Sequence, residues 1–325
     1  MQRRPLGRTG MDIAPLVLGG NVFGWTCDAA QSLRVLDAFV ARGFNLIDTA
    51  DVYSRWVPGH QGGESETLIG RWIRQRGHHD DVLIATKVGS DLGLGHVCLR
   101  REHILRAAED SLRRLGVERI DLYQSHWVDK NTPVEETLGA FQTLIEQGKV
   151  RAIGASNHRA RRLLDALELA QIHGLPAYQT LQPPYNLMQR GEFEGELAAL
   201  CQSERLGVIS YYGLASGFLT GKYRSIRDAE GRARSDAVRA HLAAPQAAAV
   251  LAALDACAQR HGATPAQVAL AWVMAQPGIT APIASATTVE QLDQLAGAAS
   301  LILEPDDLAQ LARASATPTP TAPGA

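Results

Sequence analysis

The chain has 325 residues, 46% of them apolar and 20% charged, with a formal net charge of −2. That balance gives no electrostatic case for a nucleic-acid or anionic-membrane partner. No stretch approaches the roughly 20 consecutive apolar residues that span a bilayer. The length suits one α/β barrel or two smaller domains. The opening MQRRPLGRTGMDIAP is basic, is broken by Pro5 and Gly7, and lacks the apolar centre of a signal peptide. Cys27, Cys98, Cys201 and Cys257 stand far apart with no metal-ligand spacing. They read as reduced thiols of a cytoplasmic protein, and no metal site is expected.

From the N-terminus, the residues around GRTG predict a short hairpin. Eight short apolar runs follow, at 16–18, 44–48, 82–86, 120–124, 150–155, 177–181, 208–211 and 280–284. Runs of this kind are expected of strands in a parallel sheet covered by helices. Between and after them, stretches 29–42, 64–76, 101–115, 134–147, 159–172, 194–204, 245–260 and 289–298 carry apolar residues at helical spacing. Thr264-Pro265 is a helix start and opens an extra helix over 266–275, before the eighth strand. The segment 225–244 is polar, Arg-rich and aperiodic, and is expected to be a long loop and a candidate lid. The Pro/Thr-rich end, 316–325, is expected to be disordered.

Eight strand–helix units with no linker predict a single (β/α)₈ TIM barrel over 1–315. The competing doubly wound sheet usually carries G-x-G-x-x-G after its first strand. Here that position reads Gly19-Gly20-Asn21-Val22-Phe23-Gly24, which does not fit.

A barrel of this kind does its chemistry at the C-terminal strand ends. Asp48 ends the second strand, Tyr53 follows it, Lys87 ends the third and His126 follows the fourth. An acid, a phenol, an amine and an imidazole on one rim suit proton transfer to a carbonyl oxygen during hydride addition. A phenol with a pKa near 10 is a reluctant acid. Lys87 would stabilise the Tyr53 phenolate, Asp48 would hold Lys87 charged, and His126 would orient the carbonyl. Taken singly, each residue is more often a packed ring, a solvated amine or a structural imidazole. Asp48 and Lys87 also suit a structural ion pair at the barrel mouth.

FNLIDTADVYSRWVPGHQGGESETLIGRWI, ATKVG, RIDLYQSHWVDKNTPVEETLGAFQTLIEQGKVRAIGASNH, QPPYNLMQR and GFLTGKYR resemble the motifs of the aldo-keto reductases. The resemblance spans roughly residues 3 to 300 and is strongest to bacterial members related to potassium-channel β subunits. It implies a barrel that binds NADP(H) without a Rossmann domain and reduces a small carbonyl compound, with Tyr53 as proton donor and Asp48, Lys87 and His126 in support. By the same resemblance Ser156, Asn157 and Gln182 hold the nicotinamide carboxamide, and Tyr211 stacks on its ring. Gly20 and Asn21 lie near the cofactor, and Leu214, Ser216 and Lys222 surround the pyrophosphate. Ser285, Thr287 and Gln291 meet the adenosine phosphate at a helix start, which favours an anion.

Two departures stand out. Tyr212-Gly213 replaces the family's frequent Ser-Pro, and ATTVEQ carries no cation for a 2′-phosphate. NADP(H) is favoured, with NAD(H) the alternative. Phe23, Trp25, Trp56 and Trp127 are the expected substrate-lining residues, equally suited to capping the barrel. A channel-subunit-like regulatory protein that binds NADP(H) with little turnover is the second reading. A Schiff-base aldolase using Lys87 is the third, opposed by the carboxylate expected beside that amine. An oligomer is compatible with all three.

Overall fold

A computed structural model describes residues 2–316. The chain opens with an antiparallel hairpin, β1 (Arg4–Pro5) and β2 (Asp12–Ile13). The eight expected strands all form: β3 (Val17–Gly19), β4 (Leu46–Asp48), β5 (Leu83–Val88), β6 (Ile120–Ser125), β7 (Val150–Ser156), β8 (Thr180–Gln182), β9 (Gly207–Ser210) and β10 (Ile279–Ala284). They close in parallel into a barrel in which β10 returns to β3. This is the (β/α)₈ TIM-barrel architecture.

The helices are α1 (Ala29–Ala41), α2 (Glu64–Arg76), α3 (Arg101–Leu115), α4 (Val134–Glu146), α5 (Ala160–His173), α6 (Glu196–Ser203), α7 (Ser235–Leu242), α8 (Ala247–His261), α9 (Pro265–Met274), α10 (Val289–Gly297) and α11 (Pro305–Ala314). Local chemistry sets their starts. Asp28 accepts the Gln31 N–H at 2.8 Å to begin α1. Thr264 and Gln267 exchange bonds across the first turn of α9, with Pro265 at its first position. The extra helix before the last strand is therefore present.

Two elements differ from expectation. The segment 225–244 is not a bare loop. It contains a 3₁₀ turn (Ile226–Ala229) and α7. Tyr223, Ala229 and Val238 form a small core of their own beneath it. The second is α11, which the sequence reading did not anticipate. Asp307 in its first turn pairs with His261 Nε2 at 2.6 Å and with Arg260 on α8. Arg190 Nη1 donates to Ala312 O at 2.8 Å near its other end. The fold also gathers Cys257, His261 and Asp307, with ligand atoms within 4.8 Å of one another, a grouping that sequence spacing did not reveal. The Arg260 guanidinium already occupies that carboxylate.

The expected tail, beyond Ala316, lies outside the described residues. All four cysteines are buried and unpaired. Among the described residues no single helix is long and apolar enough to cross a membrane.

Side chains on a strand alternate faces, so every second residue enters the barrel. Val17, Leu46, Ala85, Leu122, Ala152 and Ile209 fill the interior together with Leu6, Met11 and Ile13. The hairpin thus plugs the N-terminal end of the barrel, where Arg4 donates to the carbonyls of Met274 and Thr280. A second, larger apolar layer lies between strands and helices.

Candidate active site

Two residues beyond the apolar interior layer, the same alternation delivers Asp48 after Leu46, Lys87 after Ala85, and Gln124 after Leu122. Gly154 occupies the matching place on β7. A Cβ there would meet Thr180 Oγ1 at 2.1 Å and Gln124 Cγ at 3.2 Å. Its missing side chain makes room for the Gln124 amide. The polar layer therefore depends on a glycine one strand away.

Lys87 is wholly buried. Its ammonium has three protons and three acceptors: Asp48 Oδ2 at 2.7 Å, the Thr49 carbonyl at 2.7 Å and the Tyr53 hydroxyl at 3.1 Å. Asp48 Oδ1 accepts from the Gln182 amide at 2.8 Å and from Gln124 at 3.4 Å. Tyr53 is held by the loop after β4. Its carbonyl accepts the Ser65 N–H at 3.3 Å, and the Ser54 N–H donates to Glu64 at the head of α2 at 3.2 Å. His126 lies across the mouth, its ring centroid 6.0 Å from that of Tyr53. His126 Nδ1 lies 2.9 Å from Ser90 Oγ, and Asn157 Nδ2 donates to the His126 carbonyl at 2.9 Å.

Burial pushes the Tyr53 phenol up. The Lys87 ammonium pulls it down, Asp48 opposes that pull, and the outcome is above the usual tyrosine value. The expected downward influence of Lys87 is present but does not prevail. Burial also pushes the Lys87 ammonium down, but Asp48 and Tyr53 outweigh it and hold Lys87 above its ordinary value. His126 is driven well below the usual imidazole value by burial and then by the Lys87 charge, so its ring is neutral. Tyr53 and His126 are thus both uncharged near neutral pH, beside a buried ammonium–carboxylate pair.

The residues expected to meet a cofactor follow the same rim. Ser156 Oγ donates to the Gln182 carbonyl at 2.9 Å, and Asn157 Nδ2 to Ser156 Oγ at 3.1 Å. The Tyr211 hydroxyl donates to Asn157 Oδ1 at 2.7 Å. Ser285 Oγ donates to Asn21 Oδ1 at 2.6 Å, which ties the turn containing Gly20 to the end of β10. Thr287 donates through N–H and hydroxyl to Gln291 Oε1, both at 3.0 Å, at the start of α10. Leu214 and Ser216 lie on the turn after β9, where Ser216 adopts a φ of 57°. The Lys222 ammonium lies 4.9 Å from the Tyr223 ring centroid.

Three of the four expected substrate residues are at the mouth. Trp56 stands edge-on to Tyr53 and to Trp25, each at 5.6 Å between centroids, and Trp127 stacks on His126 at 5.9 Å. Phe23 is a correction. It is fully buried in the strand–helix core and pressed against Gly20, so it offers no surface to a ligand. Sequence reasoning also missed Gln124, Ser90 and Arg234, whose guanidinium lies 5.6 Å from the Trp25 ring centroid. The alternation along β6 could have found Gln124, an amide two residues beyond an interior leucine. Ser90 and Arg234 sit in connections where no periodicity operates.

The aldo/keto reductase family profile matches residues 15–316. Protein tas of Escherichia coli K12 is 33% identical, covering 96% of each chain. The L-glyceraldehyde 3-phosphate reductase of the same organism is 30% identical, covering 90% of this chain and 86% of its own. A putative voltage-gated potassium channel β subunit of Schizosaccharomyces pombe is 31% identical, covering 89% and 85%. The chain belongs to the aldo/keto reductase family of oxidoreductases.

Proposed function

We propose that the protein reduces an aldehyde or ketone to the alcohol with NADPH, and that Tyr53 delivers the proton. The observation that carries this reading is the Lys87 ammonium, bonded at once to the Asp48 carboxylate and the Tyr53 hydroxyl. When bound, the reduced nicotinamide supplies hydride to the carbonyl carbon.

The raised phenol stays protonated until charge grows on the substrate oxygen. Once the proton has left, the phenolate faces Lys87, and that attraction favours transfer. With Ser90 donating to His126 Nδ1, the remaining imidazole proton sits on Nε2. There it can donate to the carbonyl oxygen and fix its direction. Asp48, held by Gln182 and Gln124, keeps Lys87 charged. A protonated, carboxylate-bound amine is a poor nucleophile, which argues against Schiff-base chemistry at Lys87.

The rim suits a dinucleotide. Ser156, Asn157 and Gln182 offer amide and hydroxyl groups to a carboxamide. Lys222 makes no ion pair among the described residues, which leaves its charge for a pyrophosphate. The amides at the start of α10, with the Thr287 and Thr288 hydroxyls, suit a phosphate. Assays with NADPH and NADH across aldehydes, ketones and sugars test the reading. A clear preference for NADH would overturn the coenzyme assignment. Tight coenzyme binding with no carbonyl turnover would favour the regulatory reading that the channel-subunit relative suggests.

A further inference from the structure

We propose that Cys257, His261 and Asp307 form a zinc-binding site that clamps the last helix, α11, to α8. The reductase chemistry at the strand ends uses none of these residues, so the site stands apart from the reading above.

Two elements assemble the ligand set. Cys257 and His261 are four residues apart on α8, so their side chains leave one face of the helix a single turn apart. Asp307 enters from the first turn of α11. The thiol sulfur, an imidazole nitrogen and a carboxylate oxygen lie within 4.8 Å of one another. Zinc bonds of about 2.0–2.3 Å in a tetrahedron space such atoms about 3.3–3.6 Å apart. Rotations of the three side chains cover that difference. Asp307 is presented firmly: a capping box with Glu304 starts α11, and Arg190 holds its far end through Ala312 O at 2.8 Å and Ser315 Oγ at 3.0 Å.

The two oxygens of Asp307 have separate partners. Arg260 Nε donates to Oδ1 at 3.1 Å, while Oδ2 faces His261 Nε2 at 2.6 Å. A metal ion takes the place of the proton between Oδ2 and Nε2 and draws in the Cys257 sulfur. Arg260 on Oδ1 then serves as the outer hydrogen bond that orients a ligating carboxylate. On binding, the thiol proton leaves to solvent and the imidazole proton moves from Nε2 to Nδ1. Thiolate and carboxylate balance the divalent charge. Glu304 and Asp306 line the same surface hollow as Arg260 and face its remaining charge. His261 is only partly buried, so the fourth position opens toward that hollow and a water.

Ion pairing alone requires Arg260 and Asp307 and gives no role to the buried thiol beside them. Sulfur and imidazole nitrogen together are the ligands zinc selects, whereas magnesium and calcium take oxygen.

The test uses untagged full-length protein stripped with EDTA, then titrated with zinc sulfate, and with cobalt(II) chloride as a spectroscopic probe. One ion per chain is expected, with a thiolate-to-cobalt charge-transfer band. Zinc at a hundred times its Kd should raise Tm by roughly 4–8 °C. Cys257→Ser is expected to abolish the band and to weaken zinc binding roughly a hundredfold or more. His261→Gln, at a partly exposed position, should weaken zinc binding without unfolding the chain, and it carries the test should Cys257→Ser fail to fold. Absence of stoichiometric metal binding would overturn the proposal. So would a charge-transfer band that persists in Cys257→Ser, or zinc affinity unchanged in His261→Gln.

Discussion

Replacing Lys87 with methionine removes the ammonium and keeps most of the side-chain volume. In the wild type that charge lies 3.1 Å from the Tyr53 oxygen. At an effective dielectric of about 20, a unit charge at that distance stabilises a phenolate by about 5 kcal/mol. Asp48, bonded to the same ammonium at 2.7 Å, returns part of this by repelling the phenolate. The net loss predicts a fall in kcat of roughly a hundred- to ten-thousandfold. Coenzyme affinity should change little, because Lys87 is enclosed by Asp48, Thr49 and Tyr53. The single variant also strands a buried carboxylate, at a cost of about 3–5 kcal/mol in stability. Asp48→Asn combined with Lys87→Met removes that charge, and should regain stability without regaining turnover. The assay is steady-state coenzyme oxidation, with binding followed by fluorescence and folding by urea titration. A folded Lys87→Met enzyme with kcat within tenfold of wild type would refute the reasoning.

Two further outcomes test the frame around the site. Gly154→Ala puts a methyl group against Thr180 and Gln124. Overpacking of this kind costs about 1–3 kcal/mol, so the urea midpoint should fall, and an unchanged midpoint would contradict the packing argument. Burial holds His158 at about 4 in the folded chain, against 6.5 when unfolded. Below pH 6.5 the unfolded chain takes up a proton that the fold refuses. Stability should therefore decline toward pH 4 by up to roughly 3 kcal/mol and then level. His158→Gln should make that decline shallower, and equal slopes in the two proteins would contradict it.

The barrel was legible because its eight strands are short apolar runs with helical spacing between them, and α2 and α3 run over the residues expected. The start of α9 was readable from its Thr264-Pro265 cap. By contrast, α7 escaped because it is eight residues long and buries only Val238. α11 is held by ion pairs to α8 and by Arg190, contacts that sequence spacing cannot reveal. At the site, strand ends pointed to Asp48 and Lys87, and the fold brings both to Tyr53. Phe23 looked like a mouth aromatic because it follows the first strand. A tight turn at Gly20–Val22 sends it into the core instead. The Gln124–Gly154 fit depends on packing between neighbouring strands, which adjacent residues in the chain do not encode.

The most direct measurement is single-turnover carbonyl reduction by Tyr53→Phe with saturating NADPH, alongside the coenzyme Kd. Loss of the hydroxyl leaves the ring and its contact with Trp56 in place, so the account predicts unchanged coenzyme affinity and a rate reduced by about a thousandfold or more. A rate close to wild type in that variant would contradict the assignment of Tyr53 as proton donor.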